Sequence, residues 1–168
     1  MISVNLDKSR HHREAFDCGV VALNHYLLMM ANQQSSKDNA RTYVLTNESD
    51  DREIIGFYTL TMSTLNLSAL PESLQKQHRN ARSAGLIARL AVDKQFAKQG
   101  YGEWLLIDAL HRLLDASETV GFPLVLVDAK DGVAGFYQRF GFKSFADEAN
   151  KLFMTIADIR ANLTAFHV

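Results

Sequence analysis

Gly85-Leu86-Ile87-Ala88-Arg89-Leu90-Ala91-Val92-Asp93, followed by Lys94-Gln95-Phe96 and then Ala97-Lys98-Gln99-Gly100-Tyr101-Gly102, is the stretch on which the fold turns. Gly85 to Val92 reads as a strand ended by Asp93. Beyond the paired glycines, Glu103 to Ser117 sets Leu106, Leu110, Leu113 and Leu114 on one side, with Asp108, His111, Arg112 and Asp115 largely opposite. That spacing predicts an amphipathic helix. Pro123-Leu124-Val125-Leu126-Val127 is then a short unbroken apolar run of the kind a buried central strand needs. Strand, helix and strand in this order predict a parallel crossover unit.

The flanks fill in around it. On the C-terminal side a helix is expected from Gly132 to Phe140, stopped at Gly141 by a left-handed cap. Strands at Phe142 to Phe145 and Lys151 to Ile156 come next, with a tail helical from Asp158. On the N-terminal side Val20, Leu23, Leu27 and Met30 recur at helical spacing between Asp17 and Ala31, with Asp17 available as cap. Arg41 to Thr46 and Glu53 to Met62 read as strands, and the polar run Asn47 to Arg52 between them as a hairpin loop. The fold class predicted is α/β: a mixed, mostly antiparallel sheet with a central parallel βαβ unit and helices on both faces.

With 168 residues, halving the chain would leave each part poorly buried, so one domain over 1–168 is expected. Hydrophobic residues at 47% and charged residues at 22% argue against disorder or a coiled coil. Lys plus Arg is 18 and Asp plus Glu is 19, a formal net charge of −1, so any nucleic acid must be held by a local patch. Cys18 has no partner in the chain, which excludes an internal disulfide and a cysteine zinc site. It reads as a small buried hydrophobe. His11-His12 lacks a third ligand at metal spacing and is expected on the surface; His111 falls on a polar helix side, and Trp104 reads as core. No metal is assigned. No stretch is apolar for long enough to cross a bilayer, and no signal peptide opens the chain, so a cytoplasmic protein without membrane contact is expected.

Chemistry gathers in the crossover unit. Glycines at 100 and 102 let backbone approach a ligand and turn successive amides into one concavity, where a helix N-terminus adds partial positive charge. A pyrophosphate fits there; so does an ordinary tight turn. The P-loop pattern is absent, and so is the third glycine of a dinucleotide fold. After the second strand comes Ala134-Gly135-Phe136-Tyr137-Gln138-Arg139-Phe140-Gly141-Phe142. Alone, it is an amphipathic helix packing Phe136 and Phe140.

Together, the glycine loop after one strand and Phe-Tyr-x-x-Phe-Gly-Phe after the next resemble the GNAT acyltransferases from about residue 40 to 156. The resemblance implies acetyl-CoA as donor. Ala97, Lys98, Gln99, Gly100, Tyr101 and Gly102 would hold its pyrophosphate, Leu90-Ala91-Val92 would present amides to the pantetheine arm, and Asp131 and Phe136 would lie on the same cofactor. Two departures stand out: Ala97 replaces the loop's usual leading Gln or Arg, and Asp131 stands where Asn is often found.

The N-terminal half narrows the resemblance. Phe16-Asp17-Cys18-Gly19, Leu23-Asn24, Tyr26-Leu27 and Ala40-Arg41-Thr42-Tyr43-Val44-Leu45 look like the opening of bacterial GNAT toxins from toxin–antitoxin pairs. Gly56-Phe57-Tyr58-Thr59-Leu60 and Ala88-Arg89-Leu90-Ala91-Val92 continue the pattern. This implies acetylation of the α-amino group of aminoacyl-tRNA, arrest of translation, a ribbon-helix-helix antitoxin partner and Tyr137 as the catalytic tyrosine; a homodimer is compatible with it. Ser73 to Val92 contains no Asp or Glu but carries Lys76, Arg79, Arg82 and Arg89, the candidate tRNA contacts. A solvated loop compensating acids elsewhere is the plainer account of those charges.

An α-amino group has a reference pKa of roughly 7.7–8.0 against lysine's ~10.4, so it needs little help from a base. The strand Leu86 to Val92 offers no carboxylate, which suits such a substrate. Two alternatives remain: acetylation of a small amine or protein N-terminus, and a non-catalytic acyl-CoA-binding module.

Overall fold

The computed structural model describes residues 1–165. In chain order the elements are β1 (Ser3–Asn5), α1 (Val21–His25), a π-helical turn (Tyr26–Met30), α2 (Ala31–Ser36), β2 (Arg41–Asn47) and β3 (Asp50–Thr64). Then come α3 (Glu72–Gln77), β4 (Ser83–Val92), α4 (Tyr101–Thr119), β5 (Leu124–Asp128), α5 (Ala134–Gln138), β6 (Lys143–Phe145), β7 (Glu148–Thr155) and α6 (Ile156–Ala165). One sheet runs in the order β1-β2-β3-β4-β5-β7-β6. β1 with β2, β2 with β3, β5 with β7 and β6 with β7 are antiparallel. β4 and β5 are parallel, with Gly85 opposite Val125 and Ile87 opposite Val127. The predicted crossover unit is present, and the sheet is mixed as expected.

The described residues form two compact units, Met1–Thr61 with Ala88–Ala109, and Met62–Ile87 with the described residues from Leu110 onward. The first has a core of Phe16, Tyr26, Leu27, Ala31, Val44, Ile54, Phe57 and Ala91. Phe16 and Phe57 meet edge to face at 5.5 Å. Gly56 on β3 is required here: a Cβ would lie 2.6 Å from Leu105 Cδ1 and 2.8 Å from the Ala91 carbonyl.

The first helix departs from its expected form. Asp17 does not cap it; the cap position is Val20, with no side-chain bond. Asp17 instead accepts from the Gly19 N–H at 2.8 Å and from Asn24 Nδ2 at 3.0 Å, closing a turn before the helix. The π-helical turn adds a residue to one circuit and rotates the succeeding residues about the helix axis. Met30, expected inward, is therefore exposed, and Ala31 takes the buried place. The hairpin loop is also shorter than expected: β2 and β3 extend through the polar run to a turn at Glu48 and Ser49, Asn47 facing Asp50 across two register shifts. Polar side chains at a sheet's tip remain solvated without leaving the ladder.

The second unit centres on Leu65, Leu70, Ala84, Leu124 and Phe153. The helix expected over 132–140 is only Ala134–Gln138, although Gly141 takes the predicted left-handed φ of +101°. β6 begins at Lys143 rather than Phe142, and β7 spans Glu148–Thr155, so Ile156 opens α6 instead of ending a strand. The short strand β1 and the polar helix α3 have no periodic signal to announce them.

Candidate functional site

In the first unit, β4 hands over to α4 through a loop braced at its base. Asp93 is buried; its N–H donates to the Ile55 carbonyl at 2.8 Å, and its carboxylate accepts from the Asp17 N–H at 3.0 Å and the Gln95 N–H at 2.9 Å. Lys94 Nζ lies 2.8 Å from Asp17 Oδ2. That ammonium, with the Gly19 N–H and Asn24, pulls the Asp17 carboxyl down to about 2.

Above this base, residues 97–100 are exposed. Lys98 has φ +60° and Gly100 φ +84°, left-handed conformations that curve the backbone into a concavity. A Cβ on Gly100 would meet nothing within 4 Å, so the space over it is open. α4 starts at Tyr101, and the Trp104 N–H donates to the Gly100 carbonyl at 3.1 Å. The first-turn amides of a helix have no acceptor within it, and they sit at the positive end of its dipole. An open left-handed loop before a helix of 19 residues presents backbone amides suited to an anionic group; Ala97 adds no side-chain donor, and its own N–H donates to the Lys94 carbonyl at 3.4 Å. On β4, Ala91 is buried while Leu90 and Val92 are half-buried. Arg89 lies with its guanidinium 3.7 Å above the Tyr26 ring.

The second unit holds Tyr137. It is 6% exposed and meets Phe136 and Phe142 edge to face at 5.1 and 5.8 Å. Burial pushes its hydroxyl up to about 12. Phe136 is half-buried and also packs on Phe140. The end of α5 is fixed where the Phe142 N–H donates to the Tyr137 carbonyl at 3.3 Å. Asp131 is exposed and accepts from Asn150 Nδ2 at 2.7 Å, tying its loop to β7. Arg79 and Arg82 are exposed; Lys76 stands 3.7 Å from Glu72. The predicted residues thus divide: Arg89 and residues 90–102 belong to the first unit, and Lys76, Arg79, Arg82, Asp131, Phe136 and Tyr137 to the second.

Two polar residues sit otherwise than expected. His11 is not on the surface but only 4% exposed; its Nδ1 accepts from the Asp7 N–H at 2.9 Å, and burial lowers its pKa. Asp108 is not on a solvated side of α4. It is half-buried and accepts from the Tyr58 hydroxyl and from Ser3 Oγ, each at 2.5 Å, joining β1, β3 and α4 within the first unit. Its place two residues after Leu106 gave no sign of this, because the partners come from the distant strands β1 and β3. His12 is exposed, Cys18 packs half-buried against the first core, and Trp104 is half-buried. Among the described residues no group of His, Cys, Asp or Glu could hold a metal ion, and no helix is long and apolar enough to cross a membrane.

Comparison with known proteins places this geometry. The model of the acetyltransferase (GNAT) domain matches residues 38–144. A probable toxin TacT from Sinorhizobium fredii is 31% identical over 166 residues, covering 93% of this chain and 91% of the relative. The structure of AtaT complexed with acetyl-methionyl-tRNAfMet is 27% identical with a TM-score of 0.85, covering 95% of this chain and 97% of that one. A tyrosine-to-phenylalanine mutant of the AtaT toxin, bound to the C-terminus of the antitoxin AtaR and acetyl-CoA, is 26% identical with a TM-score of 0.81 over 99% of this chain and 98% of that one. A chain matched through most of its length by that domain and by these toxins belongs to the GNAT acetyltransferases.

Proposed function

We propose that this enzyme moves an acetyl group from acetyl-CoA to the α-amino group of aminoacyl-tRNA and so stops translation. The observation that carries the reading is the likeness, over nearly the whole chain, to a toxin seen with acetylated methionyl-tRNA. We assign the pyrophosphate to the loop of residues 97–102 and the pantetheine arm to the amides of Leu90, Ala91 and Val92, with Asp131 and Phe136 beside the cofactor.

The neutral amine attacks the thioester carbonyl, a C–N bond forms and the C–S bond breaks. The departing thiolate takes the Tyr137 hydroxyl proton, and the proton released by the new amide nitrogen restores the tyrosine. A hydroxyl raised to about 12 is fully protonated at neutral pH, so its proton is in place when the thiolate leaves, and the proton from the amide nitrogen returns to it. An α-amino acceptor is already about half neutral near pH 8, in keeping with a strand that lacks carboxylates.

Lys76, Arg79, Arg82 and Arg89 are the proposed tRNA contacts. With a net charge of −1 the chain has no general attraction for RNA, so the acid-free segment from Ser73 to Val92 must supply it locally. The relatives found with an antitoxin support a protein partner that keeps the enzyme harmless in the cytoplasm; its ribbon-helix-helix type rests on the family resemblance alone.

Induced expression tests the reading. Wild type should arrest growth and protein synthesis, Tyr137→Phe should not, and one neighbouring gene's product should restore growth and copurify. Innocuous wild type would remove the toxin reading.

A further inference from the structure

Within the second unit a hollow of about 220 Å³ opens beside the β6–β7 hairpin, over the paired part of β4 and β5. Leu86 and Leu126 stand opposite each other across the parallel ladder and, with Phe145, make its apolar wall. All three are half-buried, so carbon surface stays open to an occupant. Around them are three exposed acids, Asp128, Asp147 and Glu148, against one cation. That cation, Lys151, already lies 3.5 Å from Glu148 Oε2. Asp128 and Asp147 have no cation in ion-pair range among the described residues. The same hairpin seats the helix of Tyr137: Gln138 Nε2 donates to Ser144 Oγ at 3.0 Å, and the loop leaving β5 is tied down where the Ala129 N–H donates to the Asn150 carbonyl at 2.7 Å.

We infer that this hollow receives the side chain of the amino acid carried by the tRNA and selects uncharged apolar ones, such as methionine and leucine. The inference rests on the function proposed above and names its substrate more closely. Charge excludes the other parts of both substrates, since tRNA and acetyl-CoA alike bring phosphates, which unpaired carboxylates repel. Size agrees. Pockets that enclose a drug-sized ligand run to roughly 300–1,000 Å³, so this one has room for a single side chain and none for a nucleotide. Chemistry then chooses among side chains. Apolar area buried against Leu86, Leu126 and Phe145 is the main reward, and glycine brings none. An anionic side chain meets Asp128 and Asp147. A lysine ammonium gains little from exposed carboxylates and loses water against the leucines.

The test uses the full-length enzyme and one tRNA body charged in turn with methionine, leucine, glycine, lysine or glutamate, with transfer of labelled acetyl read as kcat/KM. Methionyl and leucyl forms should exceed the glycyl form by about tenfold or more, with the lysyl form below them and the glutamyl form poorest. Leu126→Trp, which fills the hollow, should bring the methionyl-to-glycyl ratio near one; calorimetric binding of acetyl-CoA shows that the variant is folded. Asp147→Lys, at an exposed position, should raise the glutamyl-to-methionyl ratio several-fold. Equal use of all five, preference for a charged or glycyl form, or ratios unmoved by both variants would overturn the inference while leaving the proposed function standing. Label on none of the five would instead remove that function, and the role of the hollow with it.

Discussion

Tyr137 is the residue whose surroundings decide its chemistry. Packed against Phe136 and Phe142, its hydroxyl is raised from 10.0 to about 12 by burial. An unfolded tyrosine ionises near ~10, so this group leaves stability unchanged below that pH and lowers it progressively as pH rises toward about 12. Tyr137→Phe should therefore flatten the alkaline limb of the stability curve and remove one late tyrosinate absorbance step; an unaltered alkaline titration would contradict the burial. Gly100 offers a second test. Gly100→Ala meets no atom within 4 Å and suffers only the left-handed φ, about 1–2 kcal/mol. Gly100→Asp adds a negative charge in the proposed phosphate concavity. By calorimetry alanine should weaken acetyl-CoA modestly and aspartate abolish binding; equal affinities would sink the assignment. The left-handed turn at Gly100 and the helix that carries Tyr137 were legible because their spacing is a local property. His11 and Asp108 were not, since whether one polar side chain is buried depends on partners that only the folded chain supplies.

At the scale of elements, the turn before α1 and the loop after β4 are held together by one carboxylate. Asp17, brought to about 2 by Lys94, Gly19 and Asn24, contributes stability above its ordinary pKa of 3.8 and loses it as pH falls toward 2. Asp17→Asn should thus be less stable than wild type at neutral pH and shed the acid dependence between pH 4 and 2, as thermal melts would show; parallel curves would argue against the bridge. On β3, Gly56→Ala must push Leu105 or the Ala91 carbonyl aside and should cost about 1–3 kcal/mol in chemical denaturation. No loss would mean that β4 yields freely there. Periodicity located the helix around Leu23 and Leu27 but could not reveal the π-helical turn, because one extra residue in a circuit leaves the preceding spacing intact. Hairpin polarity misled for a similar reason: Asp50, Asp51 and Arg52 are strand residues at a solvated tip.

For the whole molecule, the parallel pair of β4 and β5 was foreseen from Gly85 to Val92 and Leu124 to Val127, whose apolar runs flank a long helix. The division into two compact units was not, as no shift of composition marks Thr61 or Ile87. The proposed roles fall on both: the first unit carries the phosphate loop, the second Tyr137 and most of the basic segment. Reversing Arg79 and Arg82 to Glu should weaken use of tRNA with a changed salt slope and spare cofactor affinity; salt-independent transfer would remove them from the RNA contact. The central claim is met most directly by transfer of labelled acetyl from acetyl-CoA to aminoacylated and to uncharged tRNA, with wild type beside Tyr137→Phe. The account predicts label on the aminoacylated form alone, with a rate about 10²–10⁴ lower for Tyr137→Phe; label on neither tRNA, or full activity without the hydroxyl, would contradict it.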